Sequence, residues 1–507
     1  MGERRLQSIV LVVVAATVTA AAAPSRAATS REEVRAIITD VTHRPATIVE
    51  GVGAPHQEVT TSSVEAQAFY DQGLGWTHSY FWMEAARSFH HALALDENIA
   101  LAHIGLYVVY WNVGMRDLSK QHLDAAVELR EHVSDRERMY IDARETQHRA
   151  MLAGGDERRA LRDQYRSALA RTLMAYPGDA ELWVARGQAA EPAPSGIGQR
   201  GSINGVAWYE SALVRDPDHV GAHHYLLHCY ENMRQYELAV YHAEEYGNRA
   251  LVAPHGQHMV AHVLPRVGRW DDALARFQRA YELEAAYYER EDIPPWADWH
   301  HLHNLHLYGM ALLRNGDTAR AGAVLREGWD TPGHRPVNEV YAHLPYLEYL
   351  LHVGDLEEAV ARANELADTH GATGAAVGKA FAGEALLLLG RQHEADAASA
   401  DIDATLASRF PNGVPGRGQS FIRQFRAERA LYSSDPTTVF LIEEGLLEIA
   451  DSLLREASFD GWGEGLFRIE RMMRFAHRAG LPDLVEKLRG RLSTLDPEYT
   501  PTVDFAE

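Results

Sequence analysis

Few stretches of the chain alternate between apolar and polar residues with a period of two, and the helix-favouring residues Ala, Leu, Arg and Glu are abundant. Small and aromatic residues recur instead at the spacing of packed helices. One such set is Phe69, Gly73, Ala85, Phe89 and Ala92. The pattern predicts an all-α protein built from repeated helical units.

Several later units repeat this arrangement. They are marked by Gly268, Ala273, Phe277 and Ala280, by Gly309, Gly316, Ala321 and Leu325, and by smaller sets near Gly354 and Gly390. His224 and His258 are 34 residues apart, and so are His228 and His262. The period and the small residues resemble those of the tetratricopeptide repeat (TPR) superfamily over most of residues 64–495. The resemblance implies a TPR-like right-handed superhelix of antiparallel helix pairs, whose concave face is lined by the first helix of each pair.

Loops rich in glycine and proline divide this array. We expect a polar N-terminal lead-in at 28–61, N-terminal repeats at 62–190, central repeats at 203–400 and C-terminal helical repeats at 420–495. An extra segment at 285–299, which contains Trp296 and Trp299, lengthens the step between two repeats. Because insertions in repeat arrays form loops on one face, often the binding face, we expect a loop that roofs the site.

The first 27 residues have the features of a signal peptide. Arg4 and Arg5 precede an apolar run from Leu6 to Ala23, and small residues follow near Ala27. The run is short for a membrane anchor. We therefore expect an exported protein, periplasmic or secreted, without stable membrane insertion after cleavage, and the sequence leaves the export route open between the general and twin-arginine pathways.

The net charge bears on the partners of the protein, and the cysteine content bears on disulfides. The formal net charge of −22 disfavours binding to nucleic acid or anionic lipid. Cys229 is the only cysteine, so no internal disulfide can form. We expect its side chain to be buried among apolar residues.

Histidines are concentrated in the central repeats. Residues three and four apart share one face of a helix, and neighbouring helix axes lie about 8–10 Å apart, so histidines on three successive helices can converge. In TPR proteins the second, fifth and ninth positions of a repeat face the groove, and the resemblance implies these positions for seven histidines. They are His224, His228, His255, His258, His262, His303 and His306.

Seven converging imidazoles favour a metal site, because neutral imidazole binds copper, zinc, iron or nickel and an ion relieves the cost of burying it. Their number exceeds the four ligands of one tetrahedral ion, so two ions fit the pattern. Asp298 and Glu231, the nearest acidic residues, are expected off the histidine face. An all-nitrogen ligand set favours copper, with zinc as the alternative. His300 and His301 are either accessory ligands or solvent-facing.

Three local strings also resemble motifs of a histidine-rich group of exported bacterial TPR proteins. They are His223-His224-Tyr225-Leu226-Leu227-His228, Pro254-His255-Gly256-Gln257-His258-Met259-Val260-Ala261-His262 and His303-Asn304-Leu305-His306-Leu307. Their histidines match the motifs, whereas His223, Pro254, Val260 and Leu307 depart from them. The resemblance implies that the three strings belong to one site, and it brings no activity with it.

Three functions stay open at this point. The first is a copper protein with one or two ions that acts as an oxidase or oxygenase, with Tyr225, Trp296 and Trp299 as residues of a substrate pocket. The second is a scaffold whose groove binds a peptide or small molecule without catalysis. The third is a metal store or chaperone. No catalytic residue outside the metal ligands is identified.

Overall fold

The structure is a computed structural model of the chain, and it describes residues 31–191, 201–332, 336–410, 414, 418–431, 436–456 and 462–501. The predicted signal peptide lies outside the described residues, as does most of the glycine- and proline-rich stretch after Glu191. Within the described ranges the chain is helical and has no β-strand. The all-α prediction is therefore confirmed.

The α-helices have the following bounds. They are α1 (Arg31–Thr42), α2 (Val64–His78), α3 (Trp82–Leu95), α4 (Ala100–Asn112), α5 (Arg116–Leu129), α6 (Asp135–Leu152), α7 (Gly155–Ala175), α8 (Ala180–Ala190), α9 (Ile203–Arg215), α10 (Val220–Asn232), α11 (Tyr236–Arg249), α12 (Pro254–Val263), α13 (Trp270–Glu291), α14 (Trp299–Arg314), α15 (Thr318–Asp330), α16 (Pro336–Val353), α17 (Leu356–Thr369), α18 (Gly371–Leu388), α19 (Gln392–Arg409), α20 (Gly418–Ala430), α21 (Pro436–Glu456), α22 (Trp462–Arg478) and α23 (Pro482–Leu495). Short 3₁₀-helices lie at Leu264–Val267 and Pro295–Ala297.

Consecutive helices pack as antiparallel pairs, such as α2 with α3, α10 with α11 and α12 with α13, and each pair packs on the next. The small residues identified in the sequence lie where the helices touch. A Cβ atom on Gly73 or on Gly105 would lie 2.5 Å from the Phe89 ring, so only glycine admits this fully buried ring between α2 and α4. The chain thus folds as an array of packed antiparallel helix pairs.

The N-terminal lead-in packs across the array. The backbone N–H of Val252 donates to the carbonyl of Gly51 at 3.3 Å, and the N–H of Val49 donates to the Gln72 side chain at 2.7 Å. Val52 and Val59 are buried. The lead-in therefore joins the first repeats to the histidine-bearing repeats.

The segment at 285–299 differs from the expected loop. Residues 285–291 continue α13, and only residues 292–298 link it to α14. The reason is local, because the stretch before Pro294 is made of good helix formers and Tyr287 and Tyr288 bury their rings there. The extended helix brings the Tyr287 hydroxyl to the Glu84 carboxylate of α3 at 2.9 Å.

The C-terminal helices pack against the central repeats. Helix α22 packs against α14 and α16. The Arg314 guanidinium pairs with Asp496 at 2.8 Å, and Arg471 of α22 bridges the buried carboxylates of Glu348 and Glu384, each at 2.6 Å. This closure places α22 beside the third histidine-bearing helix.

Candidate metal centre

Helices α10 and α12 bring three of the predicted ligands to one point. The Nε2 atoms of His224 and His228 lie 3.1 Å apart, and Nε2 of His255 lies 3.2 Å from that of His224. All three ligand atoms fall within 4.8 Å of one another. Nitrogens that share a tetrahedral ion at roughly 2.0–2.1 Å are about 3.3 Å apart. The two Nε2 separations match this value, and they are also hydrogen-bond distances, so the group could hold an ion. We call these three residues the α10–α12 group.

The ring of His224 is oriented by the backbone of α2. Its Nδ1 lies 2.6 Å from the carbonyl oxygen of His78. Because a carbonyl only accepts, Nδ1 carries the proton, and Nε2 of the neutral ring keeps its lone pair. A hydrogen bond of this kind from the remote nitrogen is the usual support of a metal-binding histidine. Tyr246 stacks on the same ring with a centroid distance of 4.7 Å and fixes its plane.

A second group forms between α12 and α14. Nδ1 of His258 lies 2.9 Å from Oδ1 of Asn304, and Nδ1 of His300 lies 2.5 Å from Oε1 of Glu284. Both acceptors hold the proton on Nδ1. The Nε2 atoms of His258 and His300 are buried and have no hydrogen-bond partner. Leaving such an atom without a partner costs about 1–3 kcal/mol, a cost that a bound ion would remove.

The remaining histidines of α12 and α14 flank this second group. The ring centroid of His303 lies 4.6 Å from that of His258, and the ring of His262 lies 5.9 Å from it on the other side. His255 connects the two groups, with centroid distances of 4.9 Å to His300 and 6.0 Å to His258. The imidazoles therefore form one continuous cluster that runs from α10 to α14.

His306, the last predicted ligand, faces the C-terminal repeats. Its Nε2 lies 3.2 Å from Oε1 of Glu464 in α22. Both residues are buried. The return of α22 thus supplies His306 with a carboxylate from a distant part of the chain.

Carboxylates enter the cluster more closely than the sequence analysis expected. It placed Glu231 off the histidine face, but Oε1 of Glu231 lies 2.8 Å from Nδ1 of His262. The reason is that Glu231 follows His228 by three residues and so shares its side of α10. Glu284 was missed altogether, although it continues the buried stripe of Ala273, Phe277 and Ala280 on α13. A glutamate on an apolar stripe was the available sequence signal.

His300 and His301 are both buried, so neither is solvent-facing. Nδ1 of His301 lies 3.1 Å from Oε2 of Glu284, which therefore accepts from two histidines. Burial alone would raise the pKa of Glu284, but His300 and His301 outweigh it and lower that pKa to about 2. Burial likewise opposes the charge on His301, but Glu284 and Glu327 raise its pKa to about 9.

The electrostatics of the cluster keep its central imidazoles neutral. Burial, followed by the proximity of other imidazoles, lowers the pKa of His224, His255 and His258 well below 6.5. Neutral imidazole is the form that binds metal. The three rings are therefore ready to bind an ion at neutral pH.

The aromatic residues predicted to form a substrate pocket lie in different places. The Trp299 ring lies 6.0 Å from His255 and 6.1 Å from His303, so it contacts the cluster. Trp296 is partly buried in the link before α14. The Tyr225 ring stacks on His224 with a centroid distance of 5.2 Å, and its hydroxyl lies 2.9 Å from Nδ1 of His78.

A third polar group was not foreseen from the sequence. Nε2 of His78 lies 2.8 Å from the Glu181 carboxylate, and Nε2 of His219 lies 3.2 Å from the same oxygen. The three ligand atoms are close enough to hold an ion. However, Nδ1 of His219 accepts from the Ala222 N–H at 3.2 Å, so its proton is on Nε2 and directed at Glu181. Burial alone would raise the pKa of the Glu181 carboxylate, but the two imidazoles paired with it lower that pKa, so its charge is compensated without a metal.

Two smaller expectations concern the rest of the chain. Cys229 is free and buried, as predicted. Burial raises the pKa of its thiol, which keeps it protonated. Among the helices that the structure describes, none is long and apolar enough to cross a membrane.

A scan against protein-family models finds no match for this chain, and a comparison with curated proteins finds no similar sequence. Solved structures with helical repeats do align with it at low similarity. Yeast Tom70 aligns over 74% of this chain and 72% of its own, with 17% identity and a TM-score of 0.36. Human IFIT1 in complex with PPP-AAAA aligns over 92% and 95%, with 11% identity and a TM-score of 0.36. The type IV pilus biogenesis factor PilW aligns over 45% of this chain and 94% of its own, with 16% identity and a TM-score of 0.24. These values bear on the helical-repeat architecture alone.

Proposed function

We propose that this chain is an exported metalloprotein that binds two transition-metal ions in its histidine cluster, with copper as the preferred metal. The single observation that carries the proposal is the placement of the two ring nitrogens in three of the histidines. In His224, His258 and His300, Nδ1 donates to a fixed acceptor, while Nε2 faces other imidazoles or has no partner. Without an ion, the one lone pair on Nε2 of His224 is shared by two neighbouring imidazoles, and the buried Nε2 atoms of His258 and His300 have no partner, which costs free energy.

The proposal of two ions rests on the number of imidazoles in the cluster. The α10–α12 group supplies three nitrogens, and the second group supplies His258 and His300 with His303 and His262 at its sides. One ion with four ligands cannot use all of these rings. The sharing of His255 between both groups supports two neighbouring sites.

The preference for copper rests on the donor set. The groups closest to the Nε2 atoms of the α10–α12 group are imidazoles. Glu231 and Glu284 contact Nδ1 of His262 and His300, and Glu464 contacts Nε2 of His306. Imidazole ligands suit copper and zinc, and oxygen ligands suit magnesium and calcium. Copper ranks above zinc in affinity for such sites, and zinc is the alternative.

We infer an oxidase or oxygenase reaction as the class of chemistry, with dioxygen as the oxidant and a small molecule as the substrate. A pair of copper ions with open positions supplies this chemistry when bound. Trp299 and Tyr80 border the cluster and would orient a substrate and exclude water there. A metal store or chaperone would use the same metal-ligating histidines without turnover. A peptide-binding scaffold would need no metal-ligating residues.

The proposal is tested with untagged protein produced with copper and zinc both present, by elemental analysis and absorption spectroscopy. We expect close to two copper ions per chain. His258→Ala should lower the metal content, whereas His393→Ala, at an exposed position on α19, should leave it unchanged. Oxygen consumption with phenolic and amine substrates then separates an oxidase or oxygenase from a store. Metal-free protein that takes up neither ion would overturn the proposal.

A further inference from the structure

A cavity whose lining includes none of the predicted metal ligands lies among the helices of the N-terminal repeats. It has a volume of about 70 Å³ and lies between helices α2, α4, α6, α8 and α10. Its apolar wall includes Leu74, Leu101, Ile104 and Trp111.

The polar wall of this cavity carries a buried cation without a counter-ion. Arg144 is only 7% exposed. Its guanidinium donates to the Tyr140 hydroxyl at 2.5 and 3.0 Å, to the Gln147 side-chain oxygen at 2.8 Å and to the Tyr165 hydroxyl at 3.4 Å. It forms no ion pair with any residue that the structure describes. Because arginine stays charged at every accessible pH, this is an uncompensated buried charge, which is costly unless an anion joins it.

A second group on the same wall lacks a partner. The Tyr107 side chain is 1% exposed and lines the cavity, and its hydroxyl makes no hydrogen bond. A buried hydroxyl without a partner costs about 1–3 kcal/mol. A ligand oxygen near Arg144 would accept from this hydroxyl and from the guanidinium.

The one carboxylate of the cavity wall does not serve as the counter-ion of Arg144. Glu181 accepts a hydrogen bond from His78, and Nε2 of His219 lies 3.2 Å from the same oxygen. The Glu181 carboxylate is therefore already paired. A ligand in the cavity would meet a guanidinium and a hydroxyl at one end and apolar side chains at the other.

We propose that this cavity binds a small aromatic carboxylic acid, with its carboxylate on Arg144 and Tyr107 and its ring against the apolar wall. A buried guanidinium without an ion pair attracts a carboxylate, and a hydrogen bond between two charged groups is stronger than one between neutral groups. Trp111 and Ile104 supply flat apolar surface for the ring. The proposal does not depend on the metal centre.

Calorimetric titration of the metal-free full chain tests it, with benzoate, phenylacetate and indole-3-acetate as probes and their primary amides as matched neutral analogues. We expect saturable binding of at least one acid and at least tenfold weaker binding of its amide. Tyr107→Phe should weaken binding of the acid about tenfold, because a hydrogen bond to a charged group is lost. Arg144→Gln should abolish binding, whereas Arg138→Gln, at a partly exposed position of the same helix, should leave it unchanged.

Equal binding of acid and amide would overturn the proposal, as would binding that Tyr107→Phe leaves unaffected. Failure of all three acids to bind, or equal binding of sulfate, would overturn it too. If Arg144→Gln does not fold, Tyr107→Phe carries the test, since that change removes only an unpartnered hydroxyl. Loss of metal binding in variants of the histidine cluster would not change the conclusion about this cavity.

Discussion

The Nδ1–H of His224 donates to the carbonyl oxygen of His78 at 2.6 Å, across 146 positions of sequence. This hydrogen bond connects the first repeat to the fifth helix pair and turns the Nε2 lone pair of His224 toward His228 and His255. A backbone oxygen cannot be changed by substitution, so the orientation is part of the fold. The two groups of the cluster can be tested separately by substitution.

His224→Ala should remove the ion of the α10–α12 group and leave the ion of the second group, so that metal content falls by about half. His258→Ala should remove the other ion. The two variants together should bind none. Elemental analysis of the three proteins, with circular dichroism as a check on folding, measures this. Loss of all metal in either single variant would indicate one shared site instead of two.

Glu284→Gln should weaken the second site without unfolding the protein. The carboxylate accepts from both His300 and His301, and an amide can accept from only one of them while offering an unwanted donor. Loss of such support lowers metal affinity about 10- to 100-fold. Competition with a chromophoric chelator measures the affinity.

The matched control for that variant is Glu282→Gln on the same helix, where the side chain is exposed. Its metal affinity should equal that of the wild type. Equal affinity in Glu284→Gln as well would show that the carboxylate does not position His300.

Metal should be retained at pH 6.5 and released only at lower pH. Protons compete with metal for imidazole, and burial places the pKa of His224, His255 and His258 well below 6.5. Release therefore begins below the ordinary histidine value. Dialysis at stepwise lower pH, followed by metal analysis, gives the midpoint.

The same groups set the acid stability of the metal-free protein. Their folded pKa is depressed, so the folded state binds fewer protons than the unfolded state below pH 6.5. The stabilisation is complete above that value and is lost as the pH falls toward the folded pKa. Urea unfolding at pH 7.5 and 5.5 should show lower stability at pH 5.5. Greater stability at the lower pH would contradict the assignment of neutral, buried rings.

Phe89→Ala should destabilise the N-terminal repeats by about 3–5 kcal/mol, because it leaves a cavity between Gly73 and Gly105. Gly105→Ala should also destabilise them, by about 1–3 kcal/mol, since its Cβ would overlap the ring. Urea denaturation measures both effects. Wild-type stability in both variants would mean that this ring does not fix the helix spacing.

The sequence was informative where physical rules are local and periodic. The 34-residue offset of His224 and His258 placed both at the fifth position of α10 and α12, and the small residues around Phe89 marked the helix contacts. Helical period and repeat length carry this information without any long-range contact.

The sequence was uninformative where distant segments meet. Nothing local indicates that α22 returns to place Glu464 on His306, or that His78 orients His224 from the first repeat. The extension of α13 beyond Ala285 was missed because the step in the repeat length was interpreted as a loop, although its residues favour a helix. Export stays a prediction, since the first 27 residues lie outside the described ranges.

The most direct test of the metal centre is a crystal structure of the copper-loaded protein with anomalous scattering measured on both sides of the copper absorption edge. The account predicts two peaks, one bonded to Nε2 of His224, His228 and His255 and one bonded to Nε2 of His258 and His300, at roughly 2.0–2.1 Å from each nitrogen. No peak at these nitrogens, or a single peak between His78, Glu181 and His219, would contradict it.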